Sequence, residues 1–384
     1  MKISLDSENE NRIFLKVSGR IDSVTAEDFG KEVDKFCLAY PGKEICIDFC
    51  GVEMMTSAGI REILRFKKQK YVFIILNVTN DVFAVLKMTG LTEYVESTRV
   101  YPSISVDGCE ILGKGANATV YKIDDEKAAK VFERGLDYDE FLNERLLSKK
   151  AFVAGVPTAI SFGMIEIDGK LGLVMELLNA KSLTNVIKND PENLNEDIRL
   201  YTEAIHKLHG IDGLTGIDLE LKNEVDSFKK RVSKSASLLG EDLTSELIEF
   251  ADSLPKETSL LHGDIQPNNV MVTDDGYLFI DMDSLSVGQT VFDFGYLYRT
   301  MVLQWLMEPQ EFFFHIDEEL CNRIYETTLR TYYSELSPEE LKERERQARI
   351  IGLSRLLYKN SKSGKFSDKN AFLLDLLKKE LVIG

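Results

Sequence analysis

Leu260-Leu261-His262-Gly263-Asp264-Ile265-Gln266-Pro267-Asn268-Asn269-Val270 is the stretch that decides the fold. Apolar residues lead into it and out of it, so a polar turn separates two strand signals. Asp264 stands five residues before Asn269, with Pro267 between them. A polar turn with an Asx cap would account for one such side chain. It does not account for the length, the proline and both apolar flanks together.

That spacing matches a kinase catalytic loop, in which the aspartate accepts the proton of the substrate hydroxyl and the asparagine amide oxygen binds magnesium. Downstream, Phe279-Ile280-Asp281-Met282-Asp283 places Asp281 twelve residues beyond Asn269, directly after an apolar strand. Asp281 is therefore expected to be the second magnesium ligand. Asp283 faces the same way if the strand continues, and otherwise is a solvated turn residue. Asp293-Phe294-Gly295 spells the kinase metal motif but lies 24 residues after Asn269. It reads as a structural residue that ties the loop to the next helix.

Upstream, Ile111-Leu112-Gly113-Lys114-Gly115-Ala116-Asn117-Ala118-Thr119-Val120-Tyr121 is a glycine-rich turn between strand signals. Gly113 and Gly115 would let backbone amides approach phosphate oxygens, although an ordinary hairpin turn has the same composition. Lys130, in Ala128-Ala129-Lys130-Val131-Phe132, needs a partner for its charge inside an apolar strand. Glu144, on a helix expected over 139–152, is the first candidate and Glu140 the second. A surface lysine on an edge strand is the plain alternative.

His262-Gly263-Asp264 with Pro267 and Asn269, then Ile280-Asp281, resembles the aminoglycoside phosphotransferase-like kinases, which include choline and related small-molecule kinases. The resemblance covers roughly residues 108 to 384. It implies a bilobal α+β protein-kinase-like fold, ATP or GTP with Mg2+, and phosphoryl transfer to a hydroxyl. It implies that Met175-Glu176-Leu177-Leu178 is the hinge, with Glu176 and Leu178 at the adenine edge. Ala118 replaces the usual third glycine. Gly263 takes the place where regulated protein kinases carry an arginine, and Asp293 follows only twelve residues after Asp281. Both features point to a small-molecule acceptor rather than a peptide. Two other readings stay open: a non-catalytic nucleotide-binding scaffold, and a kinase for a protein serine.

The first hundred residues alternate strand and helix signals, a small α/β layer. Strands are expected at 12–17, 44–49 and 71–78, and helices at 25–38, 57–68 and 80–88. Ser57 opens a helix in Met55-Thr56-Ser57-Ala58-Gly59 and reads as its N-cap. Gly19-Arg20-Ile21-Asp22, the Ser57 turn, Asn77-Val78-Thr79-Asn80-Asp81-Val82 and Met88-Thr89-Gly90-Leu91 resemble the sulfate-transporter/anti-sigma-antagonist (STAS) domain, over residues 1 to about 100. That resemblance implies a protein partner and makes Ser57 a candidate phosphoacceptor; Thr56 replaces the usual acidic residue before it.

The expected architecture is two domains: STAS-like at 1–102 and kinase-like at 103–384, its small lobe ending near 180 and its large lobe running from about 181. The joint falls in 96–107, around Pro102. The formal charge of −17 disfavours nucleic acid as a partner. No apolar run reaches the roughly 18 residues of a membrane span, and Met1-Lys2-Ile3-Ser4-Leu5-Asp6 lacks a signal core. The expected location is the cytoplasm. The five cysteines lack metal-site spacing and read as reduced, mostly buried thiols. His206 and His209, one helical turn apart, read as the end of a helix stopped by Gly210. A helix is expected over 338–352, opened by Ser337-Pro338. Glu308, Glu311, Asp317, Glu318 and Glu319 read as a solvated surface or as holders of substrate amines.

Overall fold

The computed structural model describes residues 1–93, 95, 97–99, 103–115, 118–132, 138–167, 170–211, 221–256, 258–274, 276–307, 316–364 and 367–382, without the side chains of 93, 98–99, 138–145, 171 and 367. Glu96, Pro102, Ala116, Asn117, Glu308 and Glu311 lie outside the described residues, as do the side chains of Glu140 and Glu144. The chain forms two compact units, residues 1–107 with 164–172, and residues 108–163 with 173–384.

The first unit runs β1 (Lys2–Glu8), β2 (Arg12–Ile21), α1 (Ala26–Ala39), β3 (Glu44–Met55), α2 (Ser57–Lys68), β4 (Phe73–Val78), α3 (Asn80–Met88) and β5 (Ser97–Arg99). Its sheet has the order β1-β2-β3-β4-β5. β1 pairs antiparallel with β2; the other pairs are parallel. Parallel neighbours need crossovers, which α1, α2 and α3 supply. Ile45, Cys46 and Ile47 in β3 are all buried, as expected of a strand covered on both faces. Phe29 meets Phe49 at 6.0 Å and Phe66 at 5.6 Å, both edge to face, locking α1 and α2 onto the sheet.

Two expectations are corrected here. Thr56, with ψ 176°, is the N-cap of α2; its side chain makes no capping bond, and Ser57 is the first helical residue, exposed. The helix begins one step earlier than a cap at Ser57 would place it. Cys46 and Cys321 are buried, but Cys50 is exposed and Cys37 and Cys109 are half-buried.

After residue 107 come β6 (Ile111–Lys114), β7 (Ala118–Lys122), β8 (Lys127–Phe132), α4 (Tyr138–Val153), β9 (Ser161–Ile167) and β10 (Lys170–Glu176), with a sheet ordered β6-β7-β8-β10-β9. Then come β11 (Lys181–Ser182), α5 (Leu183–Asn189), α6 (Leu194–His209), β12 (Lys222–Asn223), α7 (Glu224–Lys234), α8 (Ala236–Leu239), α9 (Glu241–Ser253), β13 (Ser259–Leu261), β14 (Val270–Thr273), β15 (Gly276–Phe279) and β16 (Ser286–Gly288). The chain continues through α10 (Val291–Tyr298), α11 (Gln304–Met307), α12 (Glu318–Tyr332), α13 (Pro338–Ser363) and α14 (Asn370–Val382). β14 and β15 form a hairpin, and β13 pairs with β16.

Ser337 and Glu340 cap α13 reciprocally, but the helix runs to Ser363 instead of stopping at Gly352. Gly352 is a crossing point. A Cβ there would lie 2.6 Å from the Gly295 carbonyl, so α10 and α13 approach too closely for any side chain. That approach carries Arg355 toward the Gly263 turn. Asp317 caps α12, with Glu318 and Glu319 exposed in its first turn. Among the described residues no helix is long and apolar enough to cross a membrane.

Candidate active site

Residues 262–269 link β13 to β14. Asp293 holds the turn from beneath, fully buried. Its carboxylate accepts the His262 N–H at 2.9 Å and the Gly263 N–H at 2.7 Å. His209 Nε2, at 3.0 Å, donates to the same carboxylate, while His209 Nδ1 accepts from the Tyr332 hydroxyl. His206 stacks on Tyr332 at 4.0 Å. The two histidines are therefore structural, and Asp293 ties the loop to α10 as the spacing suggested.

Gly263 adopts φ +79°, and a Cβ at that position would lie 2.4 Å from the Ser284 carbonyl. Only glycine satisfies both constraints. The His262 ring packs on Phe279, and its Nε2 donates to the Ile280 carbonyl at 3.1 Å. Asn269 donates through Nδ2 to the Asp264 carbonyl at 2.9 Å and to Asp264 Oδ2 at 3.1 Å. Gln266 adds a bond to Oδ2, also at 3.1 Å. These bonds orient the Asp264 carboxylate through one oxygen and leave Oδ1 open, with Arg299 Nη2 3.8 Å away.

The Ile280 N–H donates to the Asn269 carbonyl at 2.9 Å, bringing Asp281 beside the loop. Asp281 itself is left-handed, φ 60° and ψ 55°. A non-glycine residue held there stores about 1–3 kcal/mol of strain, a burden common at functional sites. The bend ends the strand direction and leads into a 3-10 turn at Met282–Ser284. Asp283 therefore does not continue the strand alternation. Desolvation, then the neighbouring Asp281 charge, pushes its carboxyl above the usual range.

Lys130 on β8 pairs with Asp281 across the cleft between the lobes. The expected pairing with Glu144 lies outside the described side chains; α4 carries that residue. Gly113 stands opposite Val120 in the β6–β7 pair, and a Cβ on it would meet nothing within 4 Å. Gly115 donates its N–H to the Ala118 carbonyl at 2.9 Å. A Cβ on Gly115 would lie 3.6 Å from the Ala118 carbonyl, so the open space that leaves room for a close ligand is at Gly113. At the end of β10 the Glu176 N–H donates to Ile160 and the Leu177 N–H to Glu126, at 2.9 and 2.8 Å. Leu178 keeps its N–H free among the described residues.

The Asp281 carboxylate and the Asn269 amide oxygen are hard donors of the kind Mg2+ takes. Among the described residues no group of three or more His, Cys, Asp or Glu could hold a metal unaided. A two-donor site fits Mg2+, which commonly completes its shell with waters and substrate phosphates.

Arg299 escaped the sequence reading. It lies in a π-helical turn, Arg299–Leu303, directly after α10. Burial, with the nearby Arg355 charge, lowers its pKa to about 10, while Asp264 and Tyr296 pull the other way. It is cationic at neutral pH. An arginine inside the apolar run 296–303 was the available signal, because such a charge needs a partner.

A family model described as the phosphotransferase enzyme family matches residues 108–328, and one for the STAS domain matches residues 4–106. No curated protein sequence matches the chain. Among solved structures it is similar to a thermostable mutant of aminoglycoside phosphotransferase APH(4)-Ia in its apo form. They share 15% identity with a TM-score of 0.50, over 72% of this chain and 94% of that one. A choline/ethanolamine kinase family protein from Mesorhizobium loti shares 14% identity with a TM-score of 0.47, over 71% and 91%. At such identities the first likeness shows the fold alone. Together with the family model, it places the chain in the phosphotransferase enzyme family, with a STAS domain at its N-terminus.

Proposed function

We propose that this protein transfers the γ-phosphoryl group of ATP or GTP to a hydroxyl of a small molecule. The observation that carries the reading is the convergence of Asp264, Asn269, Asp281 and Lys130 in one cleft, bonded to one another in two pairs. Asp264 Oδ1 takes the acceptor proton as the new oxygen–phosphorus bond forms. The bond to the bridging oxygen breaks, and the nucleoside diphosphate leaves with that electron pair. Asp281 and Asn269 would hold Mg2+, which supplies charge neutralisation on the phosphates. Lys130, Gly113 and Gly115 sit where phosphates pass, and Glu144 is assigned to position Lys130. The Leu178 N–H meets the adenine edge, with Glu176 beside it.

The exposed Ser57 at the start of α2 supports a second role for the N-terminal domain, as a surface for a protein partner. A phosphate there would meet the positive end of the helix and change what that surface offers.

The test is a set of variants read by Mg2+-dependent nucleotide titration and by turnover. Asp264→Ala should bind ATP within a few-fold of the parent and lose about a hundredfold or more in turnover, the scale of a missing general base. Asp281→Asn should abolish turnover, while Asp293→Asn should chiefly lower stability. Normal turnover in Asp281→Asn would refute the assignment.

A further inference from the structure

A cavity of about 190 Å³ opens beside the Gly263 turn. The start of α7, residues Asp283 to Ser286 and Arg355 of α13 form its wall. Gly263 adjoins Asp264, and Asp283 lies two residues from Asp281. The cavity thus adjoins the turn that carries Asp264, while Asp264, Asn269, Asp281 and Lys130 themselves do not line it.

Its charges do not balance. Lys222, Arg231 and Arg355 line it, against Glu224 and Asp283. Arg231 is committed: it bonds Glu224, and both bond the Tyr296 hydroxyl. Arg355 is not. Its guanidinium lies over the Tyr296 ring, 3.4 Å from the centroid, and gives one N–H to the Gly263 carbonyl at 3.3 Å. Among the described residues no carboxylate pairs with Arg355 or with Lys222. A stacked guanidinium keeps its in-plane donors for a planar or tetrahedral anion.

Ser286 points the same way. It is 2% exposed, lines the cavity, and its Oγ has no hydrogen-bond partner. A desolvated hydroxyl left unpaired costs stability that a bound acceptor group would recover. An excess of positive charge here runs against a chain whose formal charge is −17.

We propose that this cavity binds an anionic group, a carboxylate or a phosphate ester, carried by the phosphoryl acceptor, with Arg355 as its principal anchor and Lys222 and Ser286 in support. The inference rests on the phosphotransferase reading and narrows its substrate class to hydroxylated acids and phosphorylated polyols. Amino sugars and amino alcohols, which bring positive charge, meet the wrong sign.

Two measurements test this. In the first, Mg2+-ATP turnover is followed with D-glycerate, gluconate and glycerol 3-phosphate, beside glycerol, ethanolamine and kanamycin. An anionic compound should stimulate turnover, and glycerate against glycerol 3-phosphate tells carboxylate from phosphate. Arg355→Met should raise its KM by about ten- to a hundredfold with kcat nearly held, and Arg355→Lys should recover part of the loss. A merely structural arginine would lower kcat instead. Stimulation by ethanolamine or kanamycin alone would overturn the proposal.

The second measurement needs no transfer. Inorganic phosphate is titrated calorimetrically into the nucleotide-free full chain. The wild type should bind it, Arg355→Met at least about tenfold more weakly, and Lys222→Met about threefold more weakly. Lys222 is exposed, so its variant folds whatever Arg355→Met does. No phosphate binding by the wild type, or binding unchanged in both variants, overturns the anion site even if the chain proves to be a kinase. Arg355-dependent phosphate binding without turnover on any acceptor supports the anion site and counts instead against the phosphotransferase reading.

Discussion

Gly263 shows how far one backbone position constrains this site. Its N–H donates a bond to Asp293, its carbonyl accepts one from Arg355, and its Cα faces the Ser284 carbonyl. Gly263→Ala must fit a Cβ at φ +79° and 2.4 Å from that oxygen. We expect it to cost about 1–3 kcal/mol in stability, and to lower turnover more than nucleotide affinity, because the turn that displaces carries Asp264. Urea unfolding together with nucleotide titration checks this; an unchanged midpoint would mean the turn has slack that the geometry does not show. Asp264, Asn269 and Asp281 were legible from spacing because they follow one another within a short loop and hairpin. Arg299 and Arg355 were not, since they arrive from helices that begin beyond it and touch the loop only through tertiary packing.

Single elements divide in the same manner. The limits of α2 and α3 were read directly, since apolar periodicity and stop signals agree there. β1 gave no signal: nearly all its residues are exposed, so it lacks the alternation that marks a half-buried strand. α13 outran its expected end because Gly352 serves a helix crossing, a role sequence cannot separate from a stop. For α2, the first turn holds no acidic residue while Arg65, Lys67 and Lys68 stand in the last. Ser57→Asp, at its first helical position, should therefore raise stability by about 0.3–1 kcal/mol through the helix dipole. Thermal melting of the full chain at low and high salt reads this. The gain should shrink as salt rises, and a loss of stability at low salt would count against Ser57 standing at an open helix start.

For the whole molecule, the Lys130–Asp281 contact means that the protein carries its own counter-ion. Without nucleotide, an ammonium from one lobe already neutralises the carboxylate on which a divalent ion would settle. Asp281 is 43% exposed, so an incoming ion reaches it freely but must first displace a competitor. On the proposed reading, nucleotide phosphates would draw that ammonium toward themselves and vacate the carboxylate. Metal and nucleotide affinities would thereby be coupled, equally in both directions. Mg2+ titrated calorimetrically into the nucleotide-free chain should bind weakly, and more tightly with a non-hydrolysable ATP analogue present. In Lys130→Met the free chain should bind Mg2+ more strongly than wild type while losing nucleotide affinity. Equal Mg2+ affinity in both nucleotide-free proteins would break this link between the two lobes. Held as expected, the lysine acts as a lock on the cleft, opened by the cargo that arrives with the metal.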